Sequence, residues 1–464
     1  MNKTEINKSI FREYDIRGII NQTLFENDAF EIGKGFCSLN KKHGLKKIVV
    51  CRDGRLSSPN ISSALIRGLL NSGVDVIDIG CGPTPMLYFA GIKLNTDAGI
   101  MVTGSHNPSD HNGFKIVLKN KSFFGIEIQK LYNTILKKKF ITGKGSVFKN
   151  DIRNEYIDCL LERSGPFPNL KVVWDCGNGA TGEVIEKLVK KLPGQHKVLF
   201  SKIDGSFPNH HPDPTVENNL NQIKEVMKIE KANLGISFDG DGDRLGVLSQ
   251  NKELIAGDIL TTFLSGTILK KRKNEKIIFD IKSSQTAFDL VKKQSGQPII
   301  SKTGHSLIKS KIKETGAPLA GEMSGHIFFN DNWFGFDDAL YASLRCLQEI
   351  KMRKGGLVNY LKTIPKSYTS PEIRIDCDEE IKFESISKII QLCSKEYKAS
   401  KILTLDGIRV TTETSWWLIR ASNTQAALIA RAEGLTKKDL ANALLSVHKY
   451  LKCVEINWDV SRHL

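Results

Sequence analysis

The run DGDGDR, residues 239–244, sets Asp239, Asp241 and Asp243 alternately with glycines directly after the apolar stretch LGISF. That spacing turns all three carboxylates to one side, and like charges gathered so closely need a cation. Carboxylate oxygens are hard ligands that suit magnesium, whereas zinc favours His or Cys, and the glycines let the backbone bend tightly around an ion. An EF-hand is excluded, because Arg244 stands at that loop's glycine position and Gln250 at its bidentate glutamate position. The plain alternative is an acidic surface turn.

TGSHNP, residues 103–108, places Ser105 after a glycine in what reads as a strand-to-helix loop, with His106 and Asn107 beside it as orienting groups. It is not the GxSxG elbow of a hydrolase. A serine there is, on its own, more often a helix cap than a nucleophile. Its force comes from the carboxylate loop: a serine facing a bound magnesium is well suited to carry phosphate, whose oxygens seek cations. GEMSGH, residues 321–326, offers Glu322 and Ser324 to neighbouring sugar hydroxyls and His326 as a proton shuttle; alone, that histidine would read as structural. RASNT clusters Arg420, Ser422, Asn423 and Thr424, suited to the oxygens of a dianionic phosphate, against the alternative of a polar hairpin turn. Gly177, Gly179 and Gly182 form a GxGxxG, but the acidic partner of a dinucleotide site is badly placed at Asp204, so the glycines read as a tight structural turn.

These loops need a frame. KKIVVCRDGR (46–55), KVVWDCGNGA (171–180) and KIIFDIKSSQ (276–285) open alike, with a basic residue, an apolar run and then Asp, and each leads into a helix-like stretch. After another strand–helix pair, each unit reaches a strand ending in a polar, glycine-containing loop: AGIMVTGSHNP (98–108), LGISFDGDGDR (234–244) and PLAGEMSGH (318–326). The repetition predicts three related α/β domains, over 1–151, 152–253 and 254–367. Their loops would leave the carboxyl ends of equivalent strands, where open α/β sheets bind ligands, and converge on one cleft. From 368 to 464 the pattern changes to extended runs, SPEIRIDC and WWLIRAS, with helices near 380–396 and 436–450, an α+β unit.

The bulk numbers agree with a multidomain globular protein: 464 residues, 40% hydrophobic and 25% charged. The amino-terminal stretch is charged throughout and reads neither as a secretory signal nor as a membrane span, so the expected compartment is the cytoplasm. Nine cysteines scattered singly, without a CxxC pair, read as reduced and mostly buried. A net charge of +16 suits nucleic acid, a membrane surface or a small anion, and charge alone does not choose. The basic runs Lys137–Lys139 and Lys270–Lys273 each end a helix-like stretch and read as solvated surface.

FREYDIRG (11–18), TGSHNP, NGFK (112–115), DGDGDR, KTGHSLIK (302–309), GEMSGH and RASNT occur in the order found in the α-D-phosphohexomutase superfamily. The chain resembles it over nearly its whole length, most closely the bacterial phosphomannomutase/phosphoglucomutase branch; GEMSGH in particular looks like the branch acting on mannose and glucose phosphates. The resemblance implies three similar α/β domains with mixed sheets plus the C-terminal α+β domain, heart-shaped around a central cleft. It implies a phosphorylated Ser105, with Mg2+ held by Asp239, Asp241, Asp243 and an oxygen of that phosphoserine. Tyr14, Arg17, His106, Asn107, Lys115, Arg244, Lys282 and His305 would line the cleft. Glu322 and Ser324 would hold the sugar O3 and O4, and RASNT the phosphate that is not reacting. Lys115, His326 and Arg17 would assist proton movement. Hexose 1-phosphate and hexose 6-phosphate would interconvert through a hexose 1,6-bisphosphate, with glucose 1,6-bisphosphate or mannose 1,6-bisphosphate as activator. The expected partner is a small phosphosugar, not nucleic acid or membrane, and the expected state a monomer. Phosphoglucosamine mutase activity is the nearest rival, a phosphatase the second. Gln425 and Ala426 depart from the pattern, in which a residue and then proline usually follow RASNT, so the phosphate loop should be less rigid.

Overall fold

The computed structural model describes residues 5–422 and 426–463. Its first three sheets share one plan. In the first, the parallel strands Asp75–Cys81, Lys47–Arg52 and Ala98–Val102 lie side by side and His111–Leu118 runs antiparallel to the last. Gly194–Leu199, Leu170–Asp175, Leu234–Phe238 and Leu245–Leu248 repeat that order, as do Gln297–Ser301, Lys276–Asp280, Leu319–Gly321 and Ile327–Phe329. The sheets are mixed. Their central strands are buried along most of their length, as expected of strands covered by helices on both faces.

One element differs from its sequence reading. TGSHNP does not lead into a helix; it turns into the antiparallel strand His111–Leu118, whose residues Phe114 and Ile116 join the first core. The same holds in the second and third units, so each ligand loop is the tip of a hairpin at the carboxyl end of a parallel strand. A hairpin ties both ends of its loop into the same sheet, which fixes the loop more closely than a free strand-to-helix turn would.

A continuous apolar core joins the three units. Helices Thr84–Lys93, Arg153–Glu162 and Ala339–Met352 contribute Phe89, Tyr156 and Tyr341 to it, with Trp333 stacked on Tyr341 at 4.3 Å between ring centroids. The C-terminal sheet has a separate core beneath helices Lys382–Glu396 and Lys437–Cys453. In its strand Ser415–Ala421, Trp417 and Ile419 face those helices, while Trp416 and Leu418 alternate to the other face and meet Ile281 of the third unit. All nine cysteines are free, six of them buried. No described helix is long and apolar enough to cross a membrane.

Candidate active site

The serine loop is curled. Ser105 has φ +51°, in the left-handed region that non-glycine residues avoid. Its Oγ donates to Asp239 Oδ2 at 2.9 Å and lies 3.2 Å from His106 Nδ1. Gly240 lets the two loops meet, since a Cβ there would fall 2.5 Å from the Ser105 carbonyl oxygen. The dinucleotide-like glycines serve the same junction: Gly179 abuts Gly240, and the Ala180 N–H donates to the Gly240 carbonyl at 2.9 Å.

Asp239, Asp241 and Asp243 are each 0% exposed, with oxygens within 4.8 Å of one another. Asp239 Oδ1 accepts the main-chain N–H groups of Asp243 and Arg244, both at 3.1 Å. Asp241 Oδ2 is held by Thr84 Oγ1 at 2.6 Å and Lys115 Nζ at 2.7 Å, and Lys115 also pairs with Asp243. Asp241 Oδ1 and Asp243 Oδ1 are buried without a hydrogen-bond partner among the described residues. Burial and the two neighbouring carboxylates push the Asp239 carboxyl well above the usual range. On Asp243 burial acts the same way, but Lys115 and His326 prevail and hold it low. Burial opposes the Lys115 charge, and Asp241 and Asp243 more than restore it. With two orphaned carboxylate oxygens, this all-oxygen donor set fits a hard divalent ion such as magnesium.

The third loop closes the other side. Glu322 Oε1 accepts the Gly304 N–H at 2.7 Å, and burial raises its carboxyl. His326 receives Arg244 Nε at 3.2 Å and stacks on His305, 5.6 Å between centroids. Beneath them Asp337 accepts from His305 Nδ1 at 3.0 Å and Lys309 Nζ at 2.9 Å; burial disfavours its charge, but Lys309 and His305 hold the carboxyl far below its usual range. Arg17 donates to the Gly104 carbonyl at 2.6 Å and pairs with Asp15.

A cavity of about 990 Å³ opens above these groups, lined by Tyr14, Arg17, Ser105, His106, Asn107, Lys115, Arg244, Lys282, His305, Glu322, Ser324, His326, Arg420 and Ser422. Side chains from all four sheets thus share one space, with the carboxylate triad just below its floor. Asn423 and Thr424 lie outside the described residues. Sequence reasoning missed Thr84, Thr103, Asp337 and Lys309, which touch the predicted residues from behind, and two carboxylates on the cleft's cations. These are Glu372, 2.8 Å from Lys282 Nζ, and Asp406, 3.0 Å from Arg420 Nε. Thr103 and Lys309 sit inside TGSHNP and KTGHSLIK, whereas the other four carry no local spacing signal.

Three copies of one mixed sheet, a fourth unit beside their cleft, and a serine against a carboxylate triad among cations are the marks of a phosphoryl-transfer enzyme. Four family models cover nearly the whole chain: phosphoglucomutase/phosphomannomutase alpha/beta/alpha domain I at 8–142, domain II at 154–252, domain III at 256–368 and the C-terminal domain at 372–446. A Pseudomonas aeruginosa phosphomannomutase/phosphoglucomutase is 40% identical over 447 residues, 96% of each chain. A Neisseria gonorrhoeae phosphoglucomutase is 39% identical over 434 residues, 93% of this chain and 94% of that one. The crystal structure of a Burkholderia thailandensis phosphoglucomutase/phosphomannomutase family protein superimposes with TM-score 0.91 at 38% identity, covering 97% of this chain and 99% of that one. The chain belongs to the phosphoglucomutase/phosphomannomutase family.

Proposed function

We propose that the chain is a phosphohexomutase that interconverts the 1- and 6-phosphates of mannose and glucose, with Ser105 carrying the phosphoryl group between turnovers. The observation that supports it best is Ser105 Oγ, 2.9 Å from the carboxylate triad and open to a cleft that also holds Glu322. In the forward half-reaction the bond from Ser105 Oγ to phosphorus breaks and a bond from the free sugar hydroxyl to phosphorus forms, giving glucose or mannose 1,6-bisphosphate. The bisphosphate turns end over end and returns its other phosphate to Ser105. Asp239, Asp241 and Asp243, with a phosphoserine oxygen, would hold magnesium, which when bound stabilises charge on the transferring group. Lys115 and Arg244 flank that group as fixed positive charge. Lys115, His326 and Arg17 assist proton movement to and from the sugar hydroxyl.

Glu322 and Ser324 grip the sugar O3 and O4, and an O2 left unread accounts for acceptance of both epimers. Arg420 and Ser422, with Asn423 and Thr424, bind the resting phosphate; Tyr14, His106, Asn107, Lys282 and His305 complete the wall. Functional units follow the division 1–151, 152–253, 254–367 and 368–464, and the chain works as a monomer. The test is a comparison of rates on mannose 1-phosphate, glucose 1-phosphate and glucosamine 1-phosphate, with and without glucose 1,6-bisphosphate. Fast conversion of the first two, activated by the bisphosphate and without release of inorganic phosphate, is the expected result. Preference for the glucosamine ester, or steady phosphate release, contradicts it.

A further inference from the structure

Arg55 closes the motif KKIVVCRDGR and takes no part in the steps above, yet it is 1% exposed and lies directly beneath the serine loop. A guanidinium has five N–H donors in one plane, and here all five are used. Nε donates to Asp53 Oδ2 at 3.1 Å. Nη2 donates to the carbonyls of Ser105 at 2.8 Å and Asn107 at 2.6 Å, and Nη1 to those of His111 at 2.9 Å and of Pro108. The loop is therefore wrapped around one flat cation, which grips it at both ends of its curl. Gly104 is needed for this, because a Cβ there would collide with the guanidinium. Asp53 completes the hold by accepting the Gly104 N–H at 3.0 Å and the Thr103 hydroxyl at 2.8 Å, while Thr103 Oγ1 accepts the Ser105 N–H at 2.8 Å. From the second unit, Phe207 covers the outer side, its ring centroid 5.3 Å from the guanidinium carbon.

We propose that Arg55 is the positioning residue of the phosphoryl carrier: it holds Ser105 in its left-handed backbone conformation and so aims Oγ at the carboxylate triad. A non-glycine residue at positive φ persists where its surroundings over-determine it, and four planar hydrogen bonds to the loop's carbonyls, with a fifth fixing the guanidinium to Asp53, are such surroundings. A lysine at 55 would keep the charge but supply three donors without the plane, so the loop would relax and Oγ would shift. A displacement of the reacting atom by about 1 Å costs roughly 10²-fold in rate while leaving sugar contacts in place.

The inference rests on the reading of Ser105 as phosphoryl carrier, and the experiment separates the two. Wild type, Arg55→Lys and Arg55→Ala, each first discharged of bound phosphoryl by excess glucose 6-phosphate and desalted, are incubated with labelled glucose 1,6-bisphosphate, and label on Ser105 is followed in single turnover. Melting temperature and the Kd for glucose 6-phosphate are measured alongside. The expected result is a folded Arg55→Lys protein that binds the sugar phosphate within about threefold of wild type but labels Ser105 roughly 10²-fold more slowly. In Arg55→Ala, millimolar methylguanidinium should restore labelling. Equal labelling rates in wild type and Arg55→Lys overturn the positioning role alone, as does loss of the fold in both variants, which would make Arg55 structural. Absence of label in wild type overturns the carrier reading itself and the brace with it.

Discussion

Lys115 stands between two carboxylates that also carry the orphaned oxygens, so one ammonium does part of a metal ion's work. Lys115→Met leaves three buried carboxylates without it, and breaking a buried pair costs about 3–5 kcal/mol. The melting temperature of the variant should therefore fall in chelator and recover markedly when magnesium is added, more than that of wild type. An equal deficit in both conditions would show that the triad holds no cation. At this scale the sequence is informative where chemistry is local. Three aspartates alternating with glycines after an apolar strand announce a cation site, and a serine at the equivalent loop gains meaning from them. Arg55 leaves no such trace, because its partners at the loop are main-chain carbonyls, which every residue has. Asp337 and Lys309 are hidden for a related reason: the histidines they order are brought close only by the fold.

Between residue and whole molecule the unit is the hairpin tip, and its supports come from neighbouring elements. The loop between Gly194–Leu199 and the helix Asn221–Glu230 carries Phe207 over Arg55 and is fastened by His210 Nε2, 2.9 Å from Asp175 Oδ2 at the end of Leu170–Asp175. Burial disfavours the charged imidazole, but the Asp175 carboxylate outweighs it and raises the His210 pKa. A group whose folded pKa is raised contributes most below its unfolded value, about 6.5, and loses that contribution as pH climbs through the folded one. The melting-temperature gap between wild type and His210→Gln should thus be widest near pH 5.5 and narrow toward alkaline pH; a gap that grows with pH would contradict the pairing. The repeated strand–helix–strand pattern was legible from apolar runs ending in Asp. The turn of TGSHNP into a strand was not, because the repeat by itself carries a helix forward after each loop. NGFKIVL holds the correction: its buried residues include Phe114 and Ile116, at the two-residue spacing of a strand.

For the whole molecule, the three sheets are bound by one apolar core, whereas the C-terminal unit meets the third through a small apolar patch, Ile281 with Trp416 and Leu418, and a set of polar contacts beside it. Arg409 stacks on Trp416 with its guanidinium carbon 3.8 Å from a ring centroid, and donates to the carbonyls of Ile281 at 2.8 Å and Ser283 at 2.6 Å, on either side of Lys282. Arg409→Ala leaves those buried carbonyls unpaired, a cost of about 1–3 kcal/mol. It should raise KM for hexose phosphate about tenfold, equivalent to 1.4 kcal/mol, while leaving label on Ser105 unaffected; loss of both together would place Arg409 in the catalytic core. How the fourth unit sits was not legible in the sequence, since it depends on Arg409, Trp416 and Glu433 meeting a loop more than a hundred residues away. If separately encoded strand tips meet so that Ser105 carries phosphate, intact mass with peptide mapping after exposure to glucose 1,6-bisphosphate reads it out. One added phosphate on Ser105 is expected, absent from Ser105→Ala together with roughly 10⁴-fold or more of the isomerase rate. An unmodified Ser105, or an active Ser105→Ala protein, would contradict it.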